Sequence, residues 1–142
     1  MALGGVAMGS MKAHDAPQAM MDSAGVTNAL ADVQDTWTSV SWERLATADP
    51  DIIYFVDYPG QSYDEKVEAL RSNDATKDLT AVKEGRFVNL PYAMWTSGSL
   101  NIDGAEYIRT SLEHYGLQPA SDVRTHLDIT RLADLPGNDW LK

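Results

Sequence analysis

Two carboxylates, Asp49 and Asp51, flank Pro50 and are the pair in this sequence best spaced for acid–base chemistry. A carboxylic acid and a carboxylate in one pocket could act as general acid and general base. Aspartates beside a proline are also typical of turns, because their short side chains hydrogen-bond to the nearby backbone. Turn formation explains the "DPD" sequence better, so we predict no catalytic residue there.

Other signatures of catalysis or metal binding are lacking in the sequence. The histidines have no i,i+4 partner, so no metal site is predicted; they are His14, His114 and His126. There is no nucleophile elbow, phosphate-binding loop or dinucleotide-binding glycine motif, and "GGVAMG" near the amino terminus has the wrong spacing and no preceding strand. We predict no catalytic residue, no metal and no cofactor.

The composition limits the classes of partner. The chain has 142 residues, of which 21 are acidic and 11 basic, and a net charge of −10. This length suits one domain, and the charge excludes nucleic acid, since phosphate binding needs clustered Lys and Arg. The chain lacks cysteine, and therefore disulfides and a site for lipid attachment. The start "MALGGVAMGSM" has no basic region and no later stretch is long and apolar enough, so neither a signal peptide nor a membrane-spanning helix is predicted.

Helices alternate with strands along the first part of the chain. A short helix is predicted between Asp15, its cap, and Gly25, its stop, and a second one after the cap Ser41. The apolar run "DIIYFVD", residues 51–57, is typical of a strand buried on both faces. A capping box, "SYDE" at residues 62–65, opens a third helix.

The same alternation continues to residue 116. In the third helix, spacing predicts Tyr63, Val67 and Leu70 on the core side and Asp64, Lys66, Glu68 and Arg71 on the outer side. A second strand, "RFVNLP", is followed by a loop, "YAMWTSGSLN", and a last helix. This helix turns Ala105, Ile108, Leu112 and Tyr115 inward. It pairs Arg109 with Glu113 at i,i+4 and stops at Gly116.

This order predicts an α/β fold, a three-layer α/β/α sandwich with a small, mostly parallel sheet. Residues 1–116 are predicted to form the domain. Residues 117–142 contain two prolines and only short apolar clusters, and we predict an extended tail that packs on the domain.

Several segments carry a family resemblance. Trp37 to Ile53 has the order W-x-x-V-S-x-E-x-L-x-x-x-D-P-D-I-I, preceded by "SAGVTNALAD" at residues 23–32 and followed by "VEALRSNDATKDLTAVKEGRFVNLP" at residues 67–91. In this order the segments resemble the carboxy-terminal lobe of solute-binding proteins of ABC importers for iron–siderophores, haem and cobalamin. The resemblance covers residues 5–116.

The resemblance implies one lobe of a bilobal fold of the periplasmic-binding-protein type. Family members are much longer, with an amino-terminal lobe joined to this one by a long helix, and neither is seen in this sequence. We therefore expect a chain that is half of a two-lobed binding protein, whether as a fragment or a natural half-length form, and that binds ligand weakly on its own.

The resemblance also implies positions for ligand contacts. It places Trp37 in the cleft between the lobes, where a tryptophan offers a flat apolar face and an indole N–H; the alternative is a half-buried residue that seals the sheet edge. The loop after the second strand adds Tyr92 and Trp95. Tyr58 is a weaker candidate, because a Tyr-Pro turn explains it nearly as well.

Glu43 is assigned a different role by the resemblance, that of docking to the membrane permease. A carboxylate in the first turn of a helix is favoured by the helix dipole and steers association. The same residue could simply stabilise its own helix, and the two roles are compatible.

The implied function is the substrate-binding component of an ABC transporter that imports an iron–siderophore or a related iron or tetrapyrrole complex, outside the cytoplasmic membrane. The expected partners are the ligand, the ABC permease and the missing amino-terminal lobe, with membrane contact only through a lipoprotein anchor that this chain lacks. The chain is not expected to be an enzyme. The alternatives are a stand-alone α/β protein-interaction domain and cobalamin-type vitamin binding on the same scaffold.

Overall fold

The computed structural model describes residues 16–29, 41–57, 59–96, 98–122 and 130–141. The helices are α1 Ala16–Ala24, α2 Trp42–Ala48, α3 Tyr63–Ser72, α4 Thr80–Lys83, α5 Tyr92–Trp95, α6 Leu100–His114 and α7 Thr130–Ala133. The strands are β1 Ile53–Asp57 and β2 Phe87–Pro91, and a 3-10 turn covers Asp139–Leu141.

The two strands pair in parallel over their whole length. Ile53 lies opposite Phe87 at one end, and Asp57 lies opposite Pro91 at the other. Both strands were predicted from their apolar runs, and both predictions are confirmed. In the described part of the chain the sheet has these two strands.

Side chains alternate between the two faces of the sheet, as the geometry of a strand requires. One face carries Tyr54, Val56, Val88 and Leu90, packed against residues of α1, α5 and α6. The other carries Ile53, Phe55 and Phe87, packed against residues of α2, α3 and α4. A parallel sheet covered on both faces by helices is the predicted three-layer sandwich, which is confirmed.

The helix ends follow the predicted local chemistry. Ser41 caps α2 by accepting the Arg44 N–H at 3.1 Å. At α3 the capping box is complete, since the Ser62 hydroxyl accepts the Glu65 N–H and the Ser62 N–H donates to a Glu65 carboxylate oxygen at 2.8 Å. The bonds from Ser62 lower the pKa of Glu65. α1 ends at Gly25, whose φ of 76° is one that glycine adopts without strain.

The predicted outward position of Lys66 is wrong. Its side chain is 1% exposed, and its ammonium group donates to the Val56 carbonyl oxygen at 2.6 Å. The helical spacing placed Lys66 beside exposed neighbours, but a long aliphatic chain can cross an apolar surface and end on a carbonyl.

The segment after β2 also differs from the predicted loop. It begins with the short helix α5, Tyr92–Trp95, and α6 starts at Leu100, earlier than its apolar pattern indicates. The predicted pair in α6 is confirmed, with the Arg109 Nε 2.9 Å from the Glu113 carboxylate.

The carboxy-terminal residues 130–141 lie against the domain. Leu132 is 3% exposed and belongs to the core on the α1 and α6 side of the sheet. These residues form α7 and the 3-10 turn, so the prediction of an extended conformation is wrong for them. The domain boundary at residue 116 stays a prediction.

Candidate functional site

The candidate site is the edge of the sheet at which both strands end. Because β1 ends at Asp57 opposite Pro91 of β2, the residues that follow the two strands emerge side by side. Ligands of open α/β sheets bind outside the carboxyl ends of the strands. We call this side of the domain the carboxyl edge.

Helix α6 begins on the carboxyl edge. Just beyond its other end, the Tyr115 hydroxyl donates to the carbonyl oxygen of Phe87, the first residue of β2, at 3.0 Å. α6 therefore runs antiparallel to β2, which brings Leu100, its first residue, back to the edge where β2 ends.

Large apolar side chains are exposed on this edge. Tyr92, the first residue of α5, is 57% exposed, Leu100 is 41% exposed and Ile102 is 72% exposed. These three are the exposed large apolar side chains among the described residues. Exposed apolar groups that share one side of a domain mark a binding surface more often than isolated ones do.

Trp95 occupies a different environment from Tyr92. It is 2% exposed and lies in the core, where its ring packs edge-on against Tyr54 with centroids 6.4 Å apart. Its indole N–H finds no hydrogen-bond partner among the described residues. A direct ligand contact by Trp95 would therefore need α5 to move, whereas Tyr92 is accessible as it stands.

Asn101 fixes the turn between α5 and α6. Its side-chain amide donates to the carbonyl oxygens of Met94 at 3.0 Å and Thr96 at 2.7 Å. Its amide oxygen accepts the Gly98 N–H at 2.9 Å. The sequence prediction missed this residue. The signal that could have found it is an asparagine two residues after the small polar "TSGS" sequence, where such side chains bond to the backbone.

Polar groups lie under the same edge. The Lys66 ammonium donates to the Val56 carbonyl oxygen, and the Asn89 side-chain nitrogen lies 3.4 Å from an Asp57 carboxylate oxygen. Burial lowers the pKa of Lys66, while the neighbouring Asp57 carboxylate raises it. The sequence prediction missed Lys66 and Asn89 as well, because neither burial nor contact across the sheet is visible in a local pattern.

The other predicted site residues are distributed as follows. Glu43 is exposed in the first turn of α2. Trp37 and Tyr58 lie outside the described residues, so the structure does not place them. The ligand-binding and docking assignments all remain predictions.

The described residues contain no group of three or more His, Cys, Asp or Glu side chains placed to hold a metal ion. None of the helices in these residues is long and apolar enough to cross a lipid bilayer.

Comparison with known proteins identifies the fold and the family. The periplasmic binding protein family model matches residues 6–93, more than half of the chain. An ABC-type Fe3+-hydroxamate transport system from Saccharomonospora viridis DSM 43017 is similar at 25% identity and a TM-score of 0.60, over 69% of this chain and 34% of that one. A periplasmic binding protein from Veillonella parvula DSM 2008 is similar at 30% identity and a TM-score of 0.57, over 68% and 34%.

The similarity covers a part of these longer proteins. The chain spans about a third of the length of either solved structure. No match was found among curated protein sequences. From the family model and the shared fold, the chain belongs to the periplasmic binding protein family.

Proposed function

We propose that this chain is one lobe of the solute-binding component of an ABC importer, and that its ligand is an iron–siderophore complex or a related iron or tetrapyrrole complex. The single observation that carries the proposal is the exposed Tyr92 at the carboxyl edge of a chain of this family. The Fe3+-hydroxamate transport system named in one of the similar structures favours an iron complex among the possible solutes.

In the proposal, the carboxyl edge forms one wall of the ligand cleft. Tyr92 supplies an aromatic face and a hydroxyl group, and Leu100 and Ile102 extend the apolar area beside it. Trp37, Tyr58 and Trp95 are further proposed ligand contacts. A second lobe would close the cleft from the other side, so one lobe alone buries only part of a ligand and binds it weakly.

Glu43 serves in this proposal as the contact to the permease. It is exposed at the start of α2, a helix that packs on the face of the sheet opposite to α5 and α6, the helices that carry the proposed ligand contacts. An exposed carboxylate at the border of an interface affects the association rate and its dependence on salt more than the lifetime of the complex. The parent protein would act outside the cytoplasmic membrane, as a binding protein rather than an enzyme.

An NMR titration tests where the ligand binds. A gallium(III) hydroxamate complex is diamagnetic and has the shape of the ferric one, so it can be added to isotope-labelled protein. We expect amide shift changes at Tyr92–Trp95 and Leu100–Ile102, beside the strand ends. Changes confined to the opposite edge, at residues 49–52 and 115–118, would contradict the proposed cleft. An equal concentration of a gallium complex with a small hydroxy acid is the control for nonspecific binding.

A further inference from the structure

The outer edge of β2, away from β1, is closed by other parts of the chain. The Ile53 N–H donates to the Arg86 carbonyl at 3.0 Å, and backbone groups of a strand alternate between its two neighbours. The backbone N–H and C=O groups of the even-numbered residues of β2 therefore face β1. The N–H and C=O groups of Phe87 and Asn89 face the outer edge.

One side chain completes the outer edge at Asn89. The Asn89 N–H donates to the Asn138 side-chain oxygen at 3.1 Å, and the Asn138 side-chain nitrogen donates to the Asn89 carbonyl at 2.9 Å. An adjacent strand would offer one acceptor and one donor at this position. The amide of Asn138 supplies both, so it occupies the place of a paired strand.

The outward groups of Phe87 also have partners. The Phe87 carbonyl accepts the Tyr115 hydroxyl at 3.0 Å, and the Phe87 N–H donates to Gly85 O at 3.0 Å. Pro91, at the end of the strand, has no N–H to offer. A further strand could pair with β2 only by displacing these partners.

Asn138 is held in place by several contacts. It is fully buried, its side-chain nitrogen also donates to Leu132 O at 2.9 Å, and the Asn89 side chain donates to Pro136 O at 3.0 Å. Before it, Gly137 has a φ of 87° and packs so closely on the Tyr63 ring that any side chain there would clash.

Aromatic contacts of Trp140 anchor residues 130–141 on the other side of Asn138. The Trp140 ring lies 5.5 Å from the Tyr107 ring and 4.9 Å from the His114 ring, between centroids. The segment is therefore attached to the domain on both sides of Asn138.

We propose that residues 130–141 are an edge cover, which prevents β2 from pairing with β2 of a second copy of this chain. An open strand edge is a template for association, and natural proteins protect such edges with charges, bulges or a covering segment. β2 has the sequence FVNLP, without a charged side chain, so the covering segment is its main protection. The inference is independent of the ligand and goes beyond the proposed function.

Asn138→Ala tests the edge cover, with Asn101→Ala as the matched control. Asn138→Ala removes three side-chain hydrogen bonds of a buried asparagine. Asn101→Ala removes as many bonds to backbone groups, those of Met94, Thr96 and Gly98, and a long contact to the Met20 sulfur at 3.8 Å, all away from the outer edge of β2. Sedimentation velocity over a range of concentrations should show larger species for Asn138→Ala than for the wild type, and none for Asn101→Ala. Equal behaviour of the two variants would overturn the proposal.

Hydrogen exchange gives a second test that also works if Asn138→Ala does not fold. In the wild type, the backbone N–H of Asn89 should be protected from exchange. In a folded Asn138→Ala variant it should exchange about tenfold faster, measured relative to the backbone N–H of Leu90, which faces β1. An Asn89 amide that exchanges in the wild type at the rate of an open chain would overturn the proposal without any variant.

Discussion

The Trp95 ring packs edge-on against Tyr54, with the two ring planes inclined at 69°. Tyr54 is the second residue of β1, and Trp95 is the last residue of α5, so this contact fastens α5 to the sheet. Tyr92 lies three residues earlier in the same short helix and is exposed. The buried tryptophan thus determines where the exposed tyrosine stands on the carboxyl edge.

The first prediction separates these two aromatic residues by their effect on stability. Trp95→Ala should lower the free energy of unfolding by about 3–5 kcal/mol, because it empties a core position. Tyr92→Ala should change it by less than about 0.5 kcal/mol, because that side chain is exposed. Urea unfolding measures both. A Trp95→Ala variant as stable as the wild type would contradict the packing of Trp95 in the core against Tyr54.

The second prediction concerns the buried lysine. Lys66→Ala should destabilise the domain by about 2 kcal/mol, because the Val56 carbonyl loses its donor and the buried side chain leaves a void. Lys83→Ala, at an exposed lysine of α4, is the control and should leave the unfolding midpoint unchanged. If both variants unfold at the same urea concentration, the Lys66 contact does not contribute to stability.

The third prediction concerns the start of α3. Ser62→Ala removes the capping box and should lower the free energy of unfolding by about 1 kcal/mol. Ser72→Ala is the matched control in the last turn of the same helix, where the hydroxyl donates to the Glu68 carbonyl within the helix. It should have a much smaller effect, measured in the same urea series. A similar loss in the two variants would mean that the cap is not the cause.

The fourth prediction concerns alkaline pH. Burial raises the pKa of Tyr63 to about 12, and burial also raises the pKa of Tyr107. An unfolded tyrosine ionises near pH 10, so above that pH the unfolded state has lost a proton that the folded state keeps. The stability that is present below pH 10 therefore falls as the pH rises, by about 1.4 kcal/mol per pH unit for a fully buried tyrosine.

Tyr107→Phe tests the alkaline effect. The Tyr107 hydroxyl is buried and has no hydrogen-bond partner among the described residues, so its removal should cost little at neutral pH. It should reduce the dependence of unfolding free energy on pH above 10. Tyr92→Phe, at an exposed position, is the control and should keep the wild-type slope. If Tyr107→Phe keeps the wild-type dependence of unfolding free energy on pH, the raised pKa of Tyr107 is not a cause of that dependence.

The fold was predictable from the sequence because its signals are local. Ser41 and Ser62 act as caps through groups three residues away, and the apolar runs of β1 and β2 are typical of a sheet covered on both faces. Gly25 and Gly116 end their helices with positive φ angles of 76° and 70°. Each of these features depends on neighbours within one or two turns of the chain.

The details of the site were less predictable because they depend on distant contacts. Lys66 was placed on the wrong side because its bond to Val56 joins a helix to a strand. Asn89 and Asn138 are 49 residues apart, and no local pattern connects them. Trp95 and Tyr92 occur in one aromatic sequence, and only packing against Tyr54 distinguishes the buried ring from the exposed one.

The most direct test of the central claim is a titration of this chain with a ferric hydroxamate complex, followed by tryptophan fluorescence, for the wild type and Tyr92→Ala. We expect saturable but weak binding by the single lobe, with a Kd of roughly 0.1–1 mM, and at least about tenfold weaker binding by Tyr92→Ala. The stability of Tyr92→Ala, measured beforehand, ensures that the loss reports on ligand contact. Submicromolar binding that Tyr92→Ala leaves unchanged would contradict the account.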